Sequence, residues 1–310
     1  MNPPVPAEFA RRMIEMYGEA GARWLDDLPR LLAACAERWS LVIGSPFAPL
    51  SYNYVAPAVR QKDETNVVLK IGFPSVELQT EAQALRLYDG RGIARLLETD
   101  AQNGALLLER LSPGETLIAL AARDDEAATE IAARVMGALW RPAPPAPHVF
   151  PTLADWFAGL TRLRARFEGG TGPLPAPLVE RAEGLCADLL GFPEPFVLLH
   201  GDLHHFNILT AAREPYLAID PKGLVGEPAY EIGAFLHNAL PERGNEPCLA
   251  RLLSRRIHIF ASVLGLDAAR IRGWAVAQAV LSACWTVEDH GHGWESAIAA
   301  AERLAALPED

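Results

Sequence analysis

Hydrophobic positions recur at helical spacing through the first 40 residues. Phe9, Met13, Met16 and Tyr17 fall on one face and Leu28, Leu31, Leu32 and Cys35 on another, which predicts two short helices. The period then changes. Residues 39–44, 51–56 and 65–72 are short β-branched or aromatic runs separated by Pro, Gly and charged turn residues, the pattern of antiparallel strands. A helix is expected over 75–88, begun by Ser75 with Leu78, Ala82 and Leu85 in register, and strands over 93–98 and 105–111. From Leu117 onward the pattern is helical, except for short apolar runs at 196–199, 207–209 and 215–219 around a polar loop. The Pro-rich stretch 141–151 and the Gly/Pro stretch 169–177 read as loops between helices, because apolar-faced helical patterns resume after both. The chain therefore reads as a strand-rich half, 1–111, followed by a helix-rich half, 112–310.

Composition narrows the class. With 310 residues, half of them hydrophobic and 22% charged, the chain can bury a sizeable core. The uncharged run 274–287 is 14 residues long and holds Gln278, Ser282 and Thr286, too short and too polar to cross a bilayer, so no membrane partner is expected. Residues 1–8 carry neither the basic nor the apolar region of a secretory signal, and a cytoplasmic protein is expected. Cys35, Cys186, Cys248 and Cys284 form no CxxC pair and read as reduced, mostly buried thiols. A net charge of −11 argues against a nucleic-acid partner. The charge is uneven, −2 over 1–111 and −9 over 112–310, which suits a cationic small-molecule acceptor as well as simple solubility. No feature points to an obligate protein partner.

The polar loop carries the chemistry. It reads His200-Gly201-Asp202-Leu203-His204-His205-Phe206-Asn207, and a later strand ends Ala218-Ile219-Asp220. This is the spacing H-x-D-L-x-x-x-N of a kinase catalytic loop, with a metal-binding Asp one hairpin later. Phosphoryl transfer needs a carboxylate to orient and deprotonate the acceptor hydroxyl, and oxygen ligands to hold Mg²⁺ on the phosphates. Asp202 fits the first role, Asn207 and Asp220 the second. Two other readings stand beside this one: a zinc site on His200 and His204, and a plain turn whose Asp and Asn bond their own backbone.

The first half holds the complementary signal. Only three lysines occur, Lys62, Lys70 and Lys222. Lys70 ends Val67-Val68-Leu69-Lys70, which matches the V-A-I-K strand whose lysine holds nucleotide phosphates. A carboxylate partner is expected at Glu77 or Glu81 on the next helix, and a solvent-facing edge lysine is the plainer alternative. The run 106–111 takes the place of the connector where main-chain groups, at Glu109 and Leu111, would read adenine. No G-x-G-x-x-G precedes Lys70, so any cover over the phosphates falls to Ser51 and Asn53.

These residues resemble the aminoglycoside phosphotransferase family, and within it the streptomycin 6-kinase and hydroxyurea-resistance kinase branch. The resemblance rests on residues 198–209 and on 218–227, where Asp-Pro-Lys-Gly replaces the Asp-Phe-Gly of protein kinases; 107–114, the Trp24 to Trp39 segment and 283–289 support it. It implies an α+β, two-lobed, protein-kinase-like fold with a small antiparallel-sheet N-lobe and a mainly helical C-lobe. It implies transfer of the γ-phosphoryl of ATP, with Mg²⁺, to a hydroxyl of a small molecule. By position, Asp202 is the base, Asn207 and Asp220 are the Mg²⁺ ligands, Lys70 and Glu81 form the phosphate-holding pair, His200 braces the loop, and Lys222 touches the γ-phosphate.

For the acceptor, streptomycin phosphorylated at its 6-position is the first expectation, because guanidinium groups pair well with carboxylates. Glu227, Glu231, Glu288 and Asp289 are the candidate carboxylates and Trp285 a stacking surface. The plainer reading has Glu231 brace a helix over 230–240 and Glu288 and Asp289 begin a solvated turn. Alternatives are a kinase of another hydroxylated or N-hydroxy compound such as hydroxyurea, and an inactive nucleotide-binding protein. Only 220–226 separates Asp220 from the next helical pattern, which leaves little room for a peptide platform.

Overall fold

The structure, a computed structural model, describes residues 5–238 and 246–308; Met1 to Pro4 of the opening segment and the end of the helix expected to reach Leu240 lie outside the described residues. The chain divides into two compact units, Met1–Gly114 and Glu115–Asp310.

In the first unit, α1 (Ala7–Trp39) is interrupted at Gly18, whose φ of 57° and ψ of −136° break the helix into the two expected segments. Leu28, Leu31, Leu32 and Cys35 are all buried, as are Phe9 and Met13, while Met16 and Tyr17 are half-buried. Strands β1 (Leu41–Ile43), β2 (Asn53–Arg60) and β3 (Thr65–Gly72), helix α2 (Val76–Tyr88), and strands β4 (Leu96–Asp100) and β5 (Ala105–Glu109) follow. The sheet is antiparallel in the order β1-β2-β3-β5-β4.

Strand β2 runs beyond the expected 51–56 and takes in Pro57, whose carbonyl accepts from Gly44 N past the end of β1; its missing N–H is on that same side, so the ladder with β3 loses no bond. The strand expected over 93–98 starts later, at Leu96. At Arg95 the carbonyl still accepts from Glu109 N at 2.8 Å, but its N–H goes to the Glu109 carboxylate at 2.9 Å and not to the main chain.

Alternation along the strands decides where the chemistry goes. Val67, Leu69, Ile71, Ala105 and Leu107 join Trp24, Leu28 and Leu32 of α1 in one apolar cluster. The period of two therefore sends Lys70, paired in register with Leu106, to the opposite face. Ser75 caps α2 by accepting from Leu78 N at 3.2 Å. Ser75→Ala is expected to lower the unfolding free energy by about 1 kcal/mol, read by urea titration, and an unchanged midpoint would remove the cap from this account.

Strand β6 (Pro113–Thr116) runs across the division, and in the second unit it is followed by α3 (Ile118–Ala121), α4 (Asp125–Leu139), β7 (Arg141–Pro142), α5 (Leu153–Arg166) and α6 (Ala176–Gly191). Then come β8 (Val197–Leu199), a 3-10 turn His205–Asn207, β9 (Ile208–Ala211), β10 (Tyr216–Ala218) and β11 (Leu224–Gly226). Helices α7 (Pro228–His237), α8 (Glu246–Leu264), α9 (Ala268–Asp289) and α10 (Glu295–Ala305) complete it.

The sequence missed β6, β7 and β11, each four residues or fewer and stabilised only by pairing with strands distant in sequence. The expected loop 141–151 thus begins with a short strand, on β8. The uncharged run 274–287 belongs to α9, a helix buried nearly all round and packed against α5, α6, α7, α8 and α10. Among the described residues no helix is long and apolar enough to cross a membrane. Cys35, Cys186 and Cys284 are buried free thiols and Cys248 is exposed.

Candidate active site

In the first unit Lys70 Nζ lies 2.6 Å from Glu81 Oε1, and both side chains are buried. Glu77, the other candidate, is exposed. A buried ammonium needs a carboxylate, and Glu81 on α2 supplies it. Asn53 opens β2 opposite Gly72, so close that a Cβ on Gly72 would lie 2.5 Å from Asn53 Oδ1. Ser51 is exposed. The Glu109 carboxylate is held by Arg95 N, and the residue's own N–H donates to Arg95 O at 2.8 Å; Leu111 lies two residues past the end of β5.

In the second unit, antiparallel pairing of β8 with β11, Leu199 opposite Leu224, brings the polar loop against the segment after Asp220. His200 is completely buried and locks the two together. Its carbonyl accepts from Lys222 N at 2.7 Å and Gly223 N at 3.2 Å, its Nε2 donates to Ile219 O at 2.7 Å, and its Nδ1 accepts from Asp202 N at 3.2 Å. Both ring nitrogens are spent, so the zinc reading on His200 and His204 fails.

Gly201, at φ of 89°, lets this turn pass. A Cβ there would sit 3.0 Å from Trp156 Cη2 and 3.2 Å from Lys222 Cβ. Ile219 N donates to Asn207 O at 2.9 Å, which ties the second half of the loop to the strand before Asp220.

Asp202, with 39% of its side chain accessible, has its carboxyl pushed up to about 7, by desolvation first and then by the charges of Glu231 and Asp220. His204 accepts from Phe206 N at Nδ1, which leaves the proton of its neutral ring on Nε2, 3.7 Å from Asp202 Oδ1; burial pushes its pKa down to about 4. A carboxyl held up near 7 binds its proton longer than an ordinary aspartate, so it becomes a proton acceptor only above that pH. In nucleotide-free protein the Asp202 carboxyl carbon is expected to titrate near 7 by ¹³C NMR, its signal assigned by loss in Asp202→Asn; a midpoint below 5 would contradict the burial-dominated shift.

Asn207 donates its Nδ2 to Asp202 O at 2.9 Å, which turns Oδ1 the other way. Asp220 is exposed, in a left-handed backbone conformation at φ of 58°. One amide oxygen and one carboxylate are hard oxygen donors of the type Mg²⁺ takes, and Mg²⁺ completes its shell with phosphates and water. No group of three or more His, Cys, Asp or Glu forms a metal cage among the described residues, and such an ion needs none.

Two of the expected acceptor carboxylates are not available as such. Glu231, 1% exposed on α7, accepts from His200 N at 2.7 Å and Gly201 N at 2.9 Å; burial pushes its pKa up to about 7 against those donors. It braces the loop, on a helix that begins at Pro228. Glu227, completely buried, accepts from Arg270 Nε at 2.8 Å and Nη2 at 2.5 Å, from Trp274 Nε1 at 2.8 Å and from Glu194 N at 3.4 Å. Every lone pair that could meet an acceptor cation faces the interior.

Glu288 is paired with Arg162 at 3.0 and 3.2 Å, while Asp289 is exposed. Both end α9 and do not begin a turn. Trp285 is half-buried, edge-on to Trp156, with ring centroids 5.3 Å apart at 88°. Trp156 was invisible in the sequence: it sits in an ordinary amphipathic helix, and only its contact with Gly201 places it beside Asp202.

An antiparallel sheet with a buried Lys–Glu pair, and a helical unit presenting His200, Asp202, Asn207 and Asp220 from two hairpins, define a kinase-like fold. A solved choline kinase from Streptococcus pneumoniae has this fold, matching 90% of this chain and 99% of its own with a TM-score of 0.64 at 14% identity. A profile of the aminoglycoside/hydroxyurea antibiotic resistance kinases matches residues 43–290. The chain is 33% identical over 288 residues to a streptomycin 6-kinase from Streptomyces glaucescens, covering 92% of this chain and 90% of that protein. It is 36% identical over 312 aligned positions to a hydroxyurea phosphotransferase from Kitasatospora aureofaciens, covering 98% and 85%. The chain belongs to the aminoglycoside/hydroxyurea antibiotic resistance kinase family and is a phosphotransferase.

Proposed function

We propose that the protein transfers the γ-phosphoryl group of ATP, with Mg²⁺, to a hydroxyl of a streptomycin-type aminoglycoside. The observation that carries the transfer is the Asp202 carboxylate, partly accessible and held beside Asn207 by the bond from Asn207 Nδ2 to the main-chain carbonyl of Asp202. Asp202 orients the acceptor hydroxyl and takes its proton. Asn207 Oδ1 and Asp220 would hold Mg²⁺, which supplies charge neutralisation on the phosphates. In the first unit the Lys70–Glu81 pair would hold phosphate oxygens, with main-chain groups of Glu109 and Leu111 reading the base and Ser51 and Asn53 covering the phosphates. Lys222 would reach the γ-phosphate. His200 and Glu231 act through the loop they brace. The acceptor class is supported by the streptomycin 6-kinase relative and by the acidic second half of the chain.

The test is mass spectrometry of purified protein with ATP, Mg²⁺ and a panel of streptomycin, other aminoglycosides and hydroxyurea. Phosphorylated streptomycin made by the wild type and not by Asp202→Ala is expected. Phosphorylated hydroxyurea alone would move the acceptor to the small N-hydroxy class.

A further inference from the structure

We infer that Trp156 and Trp285 form an aromatic corner beside the base that receives a flat cationic group of the acceptor, with Trp156 as the specificity-determining residue. The inference rests on the proposed reading of Asp202 as the base, and it adds the chemical selectivity.

Trp156 packs on Gly201, the residue before Asp202. Its Cη2 closes on Gly201, where even a methyl group would be 3.0 Å away. It is held from two further sides, edge-on to Tyr230 at 6.0 Å and perpendicular to Trp285 at 5.3 Å. A ring fixed on three sides loses little entropy when a ligand stacks on it. Both tryptophans stay half-buried, in contrast to Trp274, which is completely buried and spends its N–H on Glu227.

Two guanidiniums lie over aromatic rings elsewhere, Arg166 on Phe167 and Arg256 on Phe235. At the corner itself Arg162 comes near the edge of Trp285: a Cβ on Gly159 would lie 3.4 Å from both Arg162 Nη2 and Trp285 Nε1. Arg162, the cation nearest this corner in sequence, is committed to Glu288. Asp289, one helical turn past Trp285 and exposed, adds a carboxylate on the same side of α9. An aromatic face with a carboxylate nearby selects a planar cation, of which a guanidinium is the best fit.

The experiment combines turnover with equilibrium binding, using streptomycin as the guanidinium probe. Streptomycin is expected to quench the tryptophan fluorescence of the wild type saturably. Trp156→Leu should raise the streptomycin KM about 30-fold, the equivalent of about 2 kcal/mol, with the KM for ATP unchanged and kcat within about threefold. Trp156→Phe should restore most of the streptomycin affinity. Trp285→Leu should weaken streptomycin about tenfold and remove part of the quench.

If streptomycin is phosphorylated and Trp156→Leu leaves its KM within twofold, the aromatic corner is overturned while the kinase reading stands. If streptomycin quenches and binds without being phosphorylated, and Trp156→Leu abolishes the binding, the corner stands and the acceptor reading fails. An absence of saturable binding to the wild type overturns the corner outright.

Discussion

Asp202→Asn is expected to lower kcat for phosphoryl transfer by about 10²- to 10⁴-fold while nucleotide affinity, measured by calorimetry, stays within about threefold. The substitution keeps the shape of the side chain and removes only its capacity to accept a proton. The loop around it does not depend on that carboxylate: His200 is held by Ile219, Lys222 and Glu231, and Asn207 bonds the main-chain carbonyl of Asp202. Loss of transfer without loss of fold therefore isolates the base. Lys70→Ala is a useful contrast, since it removes a proposed phosphate contact and leaves Glu81 buried without its cation, so both nucleotide binding and turnover should fall. Full turnover in Asp202→Asn would assign the proton to another group.

Arg270→Ala should lower the unfolding free energy of the second unit by about 3–5 kcal/mol. Glu227 is completely buried, and without Arg270 its carboxylate keeps only the Trp274 N–H and the long bond from Glu194 N. The penalty is that of an uncompensated buried charge, far more than the worth of an ordinary ion pair. It follows that Glu227→Gln added to Arg270→Ala should recover more than half of the loss, since a neutral amide can still accept from Trp274. Arg30→Ala, at an exposed pair with Asp27, should leave the urea midpoint where it was. A midpoint for Arg270→Ala equal to that of Arg30→Ala would show that Glu227 finds water or another donor.

Much of the site was legible because catalytic loops are short in sequence. His200, Asp202 and Asn207 lie within eight residues, their spacing fixed by one turn between two strands, and Asp220 follows after a single hairpin. Lys70 was legible for a different reason: a charged residue among apolar neighbours within a strand needs a partner, and Glu81 provides it. The two helices before the sheet and the cap at Ser75 follow from periodicity and local hydrogen bonding.

Residue type alone misplaced Glu227 and Glu231. In a sequence a carboxylate near a catalytic loop looks the same whether it faces a ligand or the interior, and only packing against Arg270, Trp274 and the His200 and Gly201 amides shows that these two face inward. The short strands β7 and β11 and the position of Trp156 are likewise products of long-range pairing. The sequence by itself determined the order of the longer elements, the kinase family and the gathering of His200, Asp202 and Asn207 in one loop, because these rest on local spacing. Tertiary structure alone decided which carboxylates brace and which aromatic ring borders the base, because burial and orientation are set by residues far apart along the chain.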